Sequence, residues 1–494
     1  MRHSAFFNLL ACIIGASIGY SKHNTFLPLD LEYEHQLLEE CFNIVKTACG
    51  SEKLCSHYNI HINSQSFNDI IQKCKERDNY YFNKTMISYL DSLVDLETLK
   101  QDICINKADG SGFRGPLEGL NANIQETGII ILPRFNKPRR EHKRTDDNGN
   151  EKTIVTKEAD YWGDEINKAM HNLYFIMMDD LNGYKLSNYF IDFGGFGKKR
   201  LLVGYTPVFK EAFKDIMTLN DDIIVKDDKG NKIRYFSDVT LLYPSDIEER
   251  FINCYKRACK ERIDILFAPE MLGTELLSEV DEMGYSKVLK PSSESDSYAP
   301  MLTLAPTYWH NNKNVLPIYF ANGKKIADQY KQNGFEYNGE KGLCKEKLVD
   351  SPREIVLVHI DQLGRLAFPI CADYLDNTYR NTLISTLKAS LILCPSYSFG
   401  TSNFEQLASI GSAYGVRCIW GNSCSALSTL PEPPDYPCIV STPIISEHSQ
   451  KVRLKRKCSG DCKKTCLFKI EIPLDIEGES MYEDKNIDYD HIFE

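Results

Sequence analysis

Three apolar runs of strand length each stop at a residue able to do chemistry, and this constrains the fold more than any composition figure. Ile263-Asp264-Ile265-Leu266-Phe267-Ala268-Pro269 leads into Glu270, Ile326-Ala327-Asp328-Gln329-Tyr330 into Lys331, and Leu366-Ala367-Phe368-Pro369-Ile370 into Cys371. The cysteine is followed by Ala372-Asp373-Tyr374, which reads as a sharp turn into a helix start. Strand ends of a layered sheet gather at one edge, so a carboxylate, an ammonium and a thiol can converge there as base, oxyanion stabiliser and nucleophile. Taken singly, each residue has an ordinary reading as a capping glutamate, a strand-end lysine or a buried structural cysteine. Their shared setting is what points to catalysis.

The surrounding text alternates between strand and helix patterns. Arg200-Leu201-Leu202-Val203-Gly204-Tyr205 reads as a strand, followed by an insertion of about thirty residues that contains hairpin text, Ile223-Ile224-Val225 before Asp227-Asp228-Lys229-Gly230-Asn231. Ser245-Asp246 with Glu248 predicts a capping box on a helix through Glu261. Such alternation implies a layered sheet with helices outside.

The first 197 residues read differently. Helical spacing runs from 31 to about 105, through Leu37, Phe42, Ile70, Ile71, Met86, Ile87, Leu90 and Leu93. Ile129-Ile130-Ile131-Leu132 is a strand expected to pair with Thr153-Ile154-Val155-Thr156 across the turn Asp147-Asn148-Gly149-Asn150, and Tyr161 to Leu181 is expected to be helical. The glycine-rich stretch Phe193 to Gly197 is the expected boundary. It separates a mostly helical α+β domain of unknown role (1–197) from a second domain (198–494).

The second domain resembles the carbon–nitrogen hydrolase (nitrilase/amidase) superfamily over roughly residues 200 to 476. The resemblance is carried by five ordered blocks. These are Phe267-Ala268-Pro269-Glu270, Gly323 to Lys331, Gly364-Arg365-Leu366-Ala367-Phe368-Pro369-Ile370-Cys371-Ala372-Asp373, Ala389 to Ser396, and Ala413 to Ser423. It implies an α/β fold of the αββα sandwich type, often dimerised across a helical face, and a Glu270, Lys331, Cys371 triad. It also implies a second acid eight or nine positions after the lysine. Glu340 fits that place and Glu336 competes with it. Ala372 and Gln332-Asn333-Gly334 depart from the family's usual residues at those positions, which bears on substrate preference.

The chemistry follows from the residue types. A thiol with a pKa of roughly 8.5 is mostly protonated at neutral pH, so Cys371 needs a base. Glu270 can take the proton and return it to the leaving nitrogen. Lys331 and the backbone N–H of Ala372 can receive the oxyanion. The expectation is hydrolysis of a non-peptide carbon–nitrogen bond, amide rather than nitrile, through an acyl-thioester, with pocket walls from Tyr298 to Asn314 and Tyr397 to Phe404. The partner is then a small-molecule amide or nitrile, and the chain is expected to be a homo-oligomer. No cofactor or metal is called for. The alternative is a non-catalytic binding or regulatory scaffold that works through the N-terminal domain and could associate with nucleic acid.

Composition trims the remaining classes. A net charge of −11 argues against nucleic acid as the main partner. Seventeen cysteines without framework spacing argue against a disulfide-stapled fold and for a reducing cytoplasm. Ala5 to Gly19 is apolar and shaped like a signal peptide, too short for a confident membrane span. It is expected to be a retained core helix, with export as the alternative, in which case Asn83-Lys84-Thr85 becomes a glycosylation sequon. Cys458, Cys462 and Cys466 lack the tight pairs of a zinc site and are expected to be loose thiols. The basic run Arg134, Lys137, Arg139, Arg140, Lys143, Arg144 is expected to be a solvated hairpin rather than a phosphate site. Gly194 to Lys199 lacks the Ser or Thr of a P-loop and reads as a linker turn.

Overall fold

The apolar runs assemble into two large sheets in a computed structural model of the chain. The structure describes residues 4–21, 31–49, 64–77, 79–94, 99, 103–104, 127–134, 140–145, 151–156, 165–191, 200–208, 211, 213–226, 228, 230, 232–274, 298–321, 323–339, 342–348, 351–360, 363–428, 436–442, 451–455, 466–473 and 488–493. The first sheet has eight strands. In spatial order seven of them are Tyr308–His310, Lys313–Phe320, Leu302–Leu304, Ile265–Phe267, Arg200–Tyr205, Cys466–Pro473 and Asp488–Phe493; Lys325–Tyr330 also pairs with Lys313–Phe320. The second has seven, in the order Lys451–Leu454, Cys438–Ser441, Arg417–Asn422, Leu391–Ser396, Gly364–Ala367, Glu354–Ile360 and Lys185–Ile191. Its central pairs, 364–367 with 391–396 and 391–396 with 417–422, are parallel. Parallel strands need cover on both faces, which explains why they read as nearly unbroken apolar runs.

Side-chain alternation along the strands then orders the layers. Ile265 and Phe267 enter the core shared with Leu391, Leu393 and Ile419 of the second sheet, whereas Leu266 packs with Phe251, Tyr255 and Ala258 of the helix Pro244–Lys260. Between the sheets, the Tyr205 hydroxyl donates to the Asn422 carbonyl at 2.5 Å, and a Cβ on Gly421 would lie 2.4 Å from Tyr205 and 2.8 Å from Phe267. On the outer side of the second sheet, Phe404 of the helix Ser402–Ala413 stacks on Trp420, ring centroids 4.9 Å apart. The two sheets therefore face each other with a helix on each outer surface. The predicted hairpin text forms Met217–Lys226 against Lys232–Leu241, which joins Gly342–Glu346 and Glu336–Gly339 in a separate four-stranded sheet.

In the N-terminal part the helices Ser4–Ser21, Leu31–Cys49, Ser64–Arg77 and Tyr80–Ser92 pack with the strands Ile129–Pro133 and Leu173–Met177. Phe7, Leu9, Leu10, Ile13 and Ile14 are all buried in that core. The buried Asp91 carboxylate accepts from the backbone N–H groups of His171 (2.6 Å), Asn172 (3.0 Å) and Leu173 (2.8 Å), tying the last helix to the strand. The Arg365 guanidinium lies 3.9 Å from the centre of the Tyr174 ring, and Asn182 donates to Thr382 at 2.9 Å, so one continuous core runs into the second sheet.

Four sequence expectations change. Ile129–Pro133 pairs with Leu173–Met177, and Glu151–Thr156 pairs instead with Arg140–Thr145. The expected helix from 161 to 181 is a short helix, Glu165–Ala169, followed by that strand, because Leu173 to Ile176 are buried on both faces. The helix at 244 opens on Pro244 at its first position, where a missing N–H costs nothing; Tyr243 makes no side-chain cap, and Glu248 bonds Thr274 instead. Finally, Lys185–Ile191 pairs in parallel with Glu354–Ile360, so the second sheet takes in a strand from before the boundary expected at 197.

Candidate active site

Each of the three strand-end residues lies just past a strand and is fixed by backbone bonds. Glu270 follows Ile265–Phe267, and the neighbouring Met271 N–H is held by Thr307 Oγ1 at 2.8 Å. Lys331 follows Lys325–Tyr330, and its N–H donates to the Asn314 carbonyl at 2.9 Å. Cys371 follows Gly364–Ala367 and opens the short helix Ala372–Leu375; its N–H donates to the Pro395 carbonyl at 2.9 Å. It adopts φ +47°, where a side chain costs on the order of 1–3 kcal/mol, a strain usually retained where a turn must present a reactive atom.

These turns bring the side chains together. Lys331 Nζ donates to Glu270 Oε1 at 2.6 Å and to Glu346 Oε2 at 2.5 Å, with all three side chains about 1% exposed. The Cys371 thiol, also buried, lies within reach of the Glu270 carboxylate's charge. Glu270 Oε2 accepts from the Tyr397 N–H at 3.0 Å, Glu346 Oε2 from the Phe335 N–H at 2.8 Å, and Asn314 Nδ2 donates to both carboxylates. Burial pushes the Lys331 ammonium down, and the two carboxylates more than reverse that, leaving it well above its ordinary value. Burial, then the charge of Glu270, push the Cys371 thiol well up against the opposing Lys331, so the resting group is a protonated thiol. Glu346 is raised by burial, with Lys331 opposing and Glu270 adding to it.

The second carboxylate on Lys331 is Glu346. Glu336 is exposed and pairs with Lys345 at 2.5 Å, facing away from the site, and Glu340 lies outside the described residues. The hairpin Glu336–Gly339/Gly342–Glu346 folds back, and among the described residues its far end reaches Lys331. Ala372 occupies the first helical position, where an N–H has no intrahelical acceptor. Sequence reading also missed Asn314 and Asp373. Asp373 sits two residues past Cys371, and its carboxylate accepts from the N–H groups of Gln332, Asn333 and Ile370.

Beside the triad lies a cavity of about 10 Å³, room for roughly one water, walled by Leu219, Phe236, Met271, Phe335, Tyr397 and Phe399. The expected wall from Tyr397 to Phe404 contributes two residues. The stretch Tyr298 to Asn314 contributes none to the cavity itself, and the inserted hairpin supplies Leu219 and Phe236 in its place. A larger concavity of about 640 Å³ lies between the helices Leu31–Cys49 and Ser64–Arg77 and is lined by no cysteine.

Arg134 is not on a solvated face: it is buried, bonds the carbonyls of Leu173 and Asn167, and lies over Tyr174. Asn83 is buried. Cys466 lies on a strand with its sulfur 2.9 Å from His491 Nε2, whereas Cys458 and Cys462 fall outside the described residues, as do Lys137, Arg139 and residues 194–199. Among the described residues no His, Cys, Asp and Glu cluster could hold a metal ion, and no helix is long and apolar enough to cross a membrane.

No protein-family profile and no curated protein matches the chain. Among solved structures it is similar to an amidase from Nesterenkonia sp., at 12% identity and a TM-score of 0.34, covering 56% of this chain and 92% of that one. It is also similar to Saccharomyces cerevisiae Nit3, a member of branch 10 of the nitrilase superfamily. That match has 14% identity and a TM-score of 0.29, covering 53% and 92%.

Proposed function

We propose that the chain is a carbon–nitrogen hydrolase with a nitrilase-type αββα sandwich, which opens the amide bond of a small molecule through Cys371, Glu270 and Lys331. The observation that carries the reading is that one buried carboxylate, Glu270, takes the Lys331 ammonium at 2.6 Å and acts on the buried Cys371 thiol. In the first step the sulfur attacks the carbonyl carbon as its proton passes to Glu270, which suits a thiol that is protonated at rest. The carbonyl oxygen becomes an oxyanion, facing the Lys331 N–H left after its bonds to Glu270 and Glu346, and the Ala372 N–H. Collapse breaks the carbon–nitrogen bond, and Glu270 gives the proton to the leaving amine. Water then attacks the thioester, losing a proton to Glu270, and the second collapse releases the carboxylic acid and returns the proton to the sulfur.

Ammonia release from a panel of small amides, with Cys371→Ala as control, tests this. Release confined to the parent protein supports it, and equal release by both removes Cys371 from the role. The reading extends to a cytoplasmic protein that self-associates through its hydrolase-like part. Sedimentation velocity checks the association.

The small volume of the cavity favours a second reading, a scaffold that keeps the triad without turnover. A thiol-reactive amide or acyl probe separates the two. Selective labelling at Cys371 requires that the walls part to admit a ligand, whereas uniform slow labelling of the cysteines favours the scaffold.

A further inference from the structure

Asn314 is the one neutral side chain that touches both site carboxylates among the described residues. It lies on the strand Lys313–Phe320 and is fully buried. Its Nδ2 donates to Glu270 Oε1 at 2.8 Å and to Glu346 Oε1 at 3.3 Å, and its backbone carbonyl accepts from the Lys331 backbone N–H at 2.9 Å. Both carboxylates and the lysine are thus tied to a single residue. The Asn314 Oδ1 has no hydrogen-bond partner among the described residues, an orphan that a buried amide tolerates only for a reason. The reason is local. Turning the amide over would aim Oδ1 at two carboxylates, so both N–H groups are committed to them and the carbonyl goes without.

Counting lone pairs shows what this does to the base. Glu270 Oε1 carries Lys331 and Asn314, which fills it. Oε2 carries the Tyr397 N–H and keeps one acceptor position, which the thiol proton can occupy. We propose that Asn314 is a positioning residue. It holds Glu270 and Glu346 on one lysine and makes Glu270 Oε2 the oxygen that exchanges protons with Cys371. Both its hydrogen bonds go to acceptors that lose capacity when protonated, so it favours the ionised carboxylates. The charged and titratable groups around it are Glu270 beyond Ile265–Phe267, Lys331 beyond Lys325–Tyr330, Glu346 on Gly342–Glu346, and Cys371 and Asp373 on the nucleophile turn.

This inference rests on the hydrolase reading for its kinetic arm and on geometry alone for a second arm. The first arm is the pH dependence of kcat and KM on an amide the parent protein hydrolyses, compared with Asn314→Ala and with the same-shaped Asn314→Asp. The expected result is a tenfold to hundredfold fall in kcat, a KM within about threefold, and an acid limb moved up by about one pH unit, as follows when a donor to the charged form is lost. Asn314→Asp, which adds a third carboxylate to one lysine, moves it further. The second arm measures iodoacetamide alkylation of Cys371 against pH and needs no turnover; its onset should move up by a similar amount in both variants. If no amide is hydrolysed, the hydrolase reading fails while the alkylation arm still decides the role of Asn314. Should Asn314→Ala fail to fold by circular dichroism, Asn314→Asp carries both arms. Variant profiles that superimpose on the parent after scaling, in alkylation or in kcat, overturn the proposal.

Discussion

Asp373 Oδ1 accepts from the backbone N–H of Asn333 at 2.7 Å and from that of Gln332 at 2.9 Å, fastening the turn after Lys331 to the turn that carries Cys371. Its Oδ2 accepts from the Ile370 N–H at 3.1 Å, on the other side of the nucleophile. Two segments about forty residues apart are thereby held in register by one side chain, and that register places the ammonium beside the thiol.

The clamp makes stability depend on pH in a stated direction. Burial pushes Asp373 from its ordinary 3.8 up to about 7, with Lys331 and the backbone donors opposing. A carboxyl raised on folding binds its proton more tightly in the folded chain, so its contribution grows as pH falls from about 7 toward 4 and is lost as pH rises through 7. Relative to Asp373→Asn, which does not titrate, the parent protein should gain about 2 kcal/mol between pH 7 and pH 5. Urea unfolding of both proteins at the two pH values measures this, and a difference independent of pH would refute it.

Lys331→Arg keeps the charge but replaces a compact ammonium, seated between two carboxylates, with a planar fork. We predict a loss of about a hundredfold or more in kcat, the size of an oxyanion donor's contribution, with the far-ultraviolet dichroism unchanged. Near-normal turnover would move the role to another lysine. Lys345 is a poor substitute because it is bound to Glu336.

Gly421→Ala tests the sheet-to-sheet contact. The new methyl would sit 2.4 Å from Tyr205 and 2.8 Å from Phe267, both fully buried, so neither ring can swing out to solvent. Overpacking of this kind costs about 1–3 kcal/mol or more. Thermal unfolding should show a clearly lowered midpoint. An unchanged midpoint would mean that the two sheets are further apart than described.

The N-terminal helix should be retained in the mature protein. Phe7, Leu9, Leu10, Ile13 and Ile14 are each at most 1% exposed. At roughly 1.5–3 kcal/mol per buried side chain, removing them would cost about 10 kcal/mol, comparable to the whole stability of a domain. Intact-mass spectrometry on protein from the native host checks this, and a mass lacking about the first twenty residues would refute it. Asn83, at 2% exposure, would then remain out of reach of glycosylation in the folded chain.

Local pattern alone determined where the reactive residues stand. Strands at 200–205 and 265–267, the hairpin in the insertion and the turn residues Glu270, Lys331 and Cys371 are legible because an apolar run and its abrupt stop are written into neighbouring positions. Whatever depends on contacts between distant segments was decided only by the tertiary structure. Glu346 reaches Lys331, and Glu336 does not, because a hairpin doubles back and pairs with the insertion. Ile129–Pro133 chose Leu173–Met177 over the nearer strand because both bury their faces against the N-terminal helices. Asn314 and Asp373 are polar residues in unremarkable text, and their roles exist only where three separate turns meet. Strand partners and buried hydrogen bonds are set by which surfaces the whole chain can bury together, and local sequence carries no record of that.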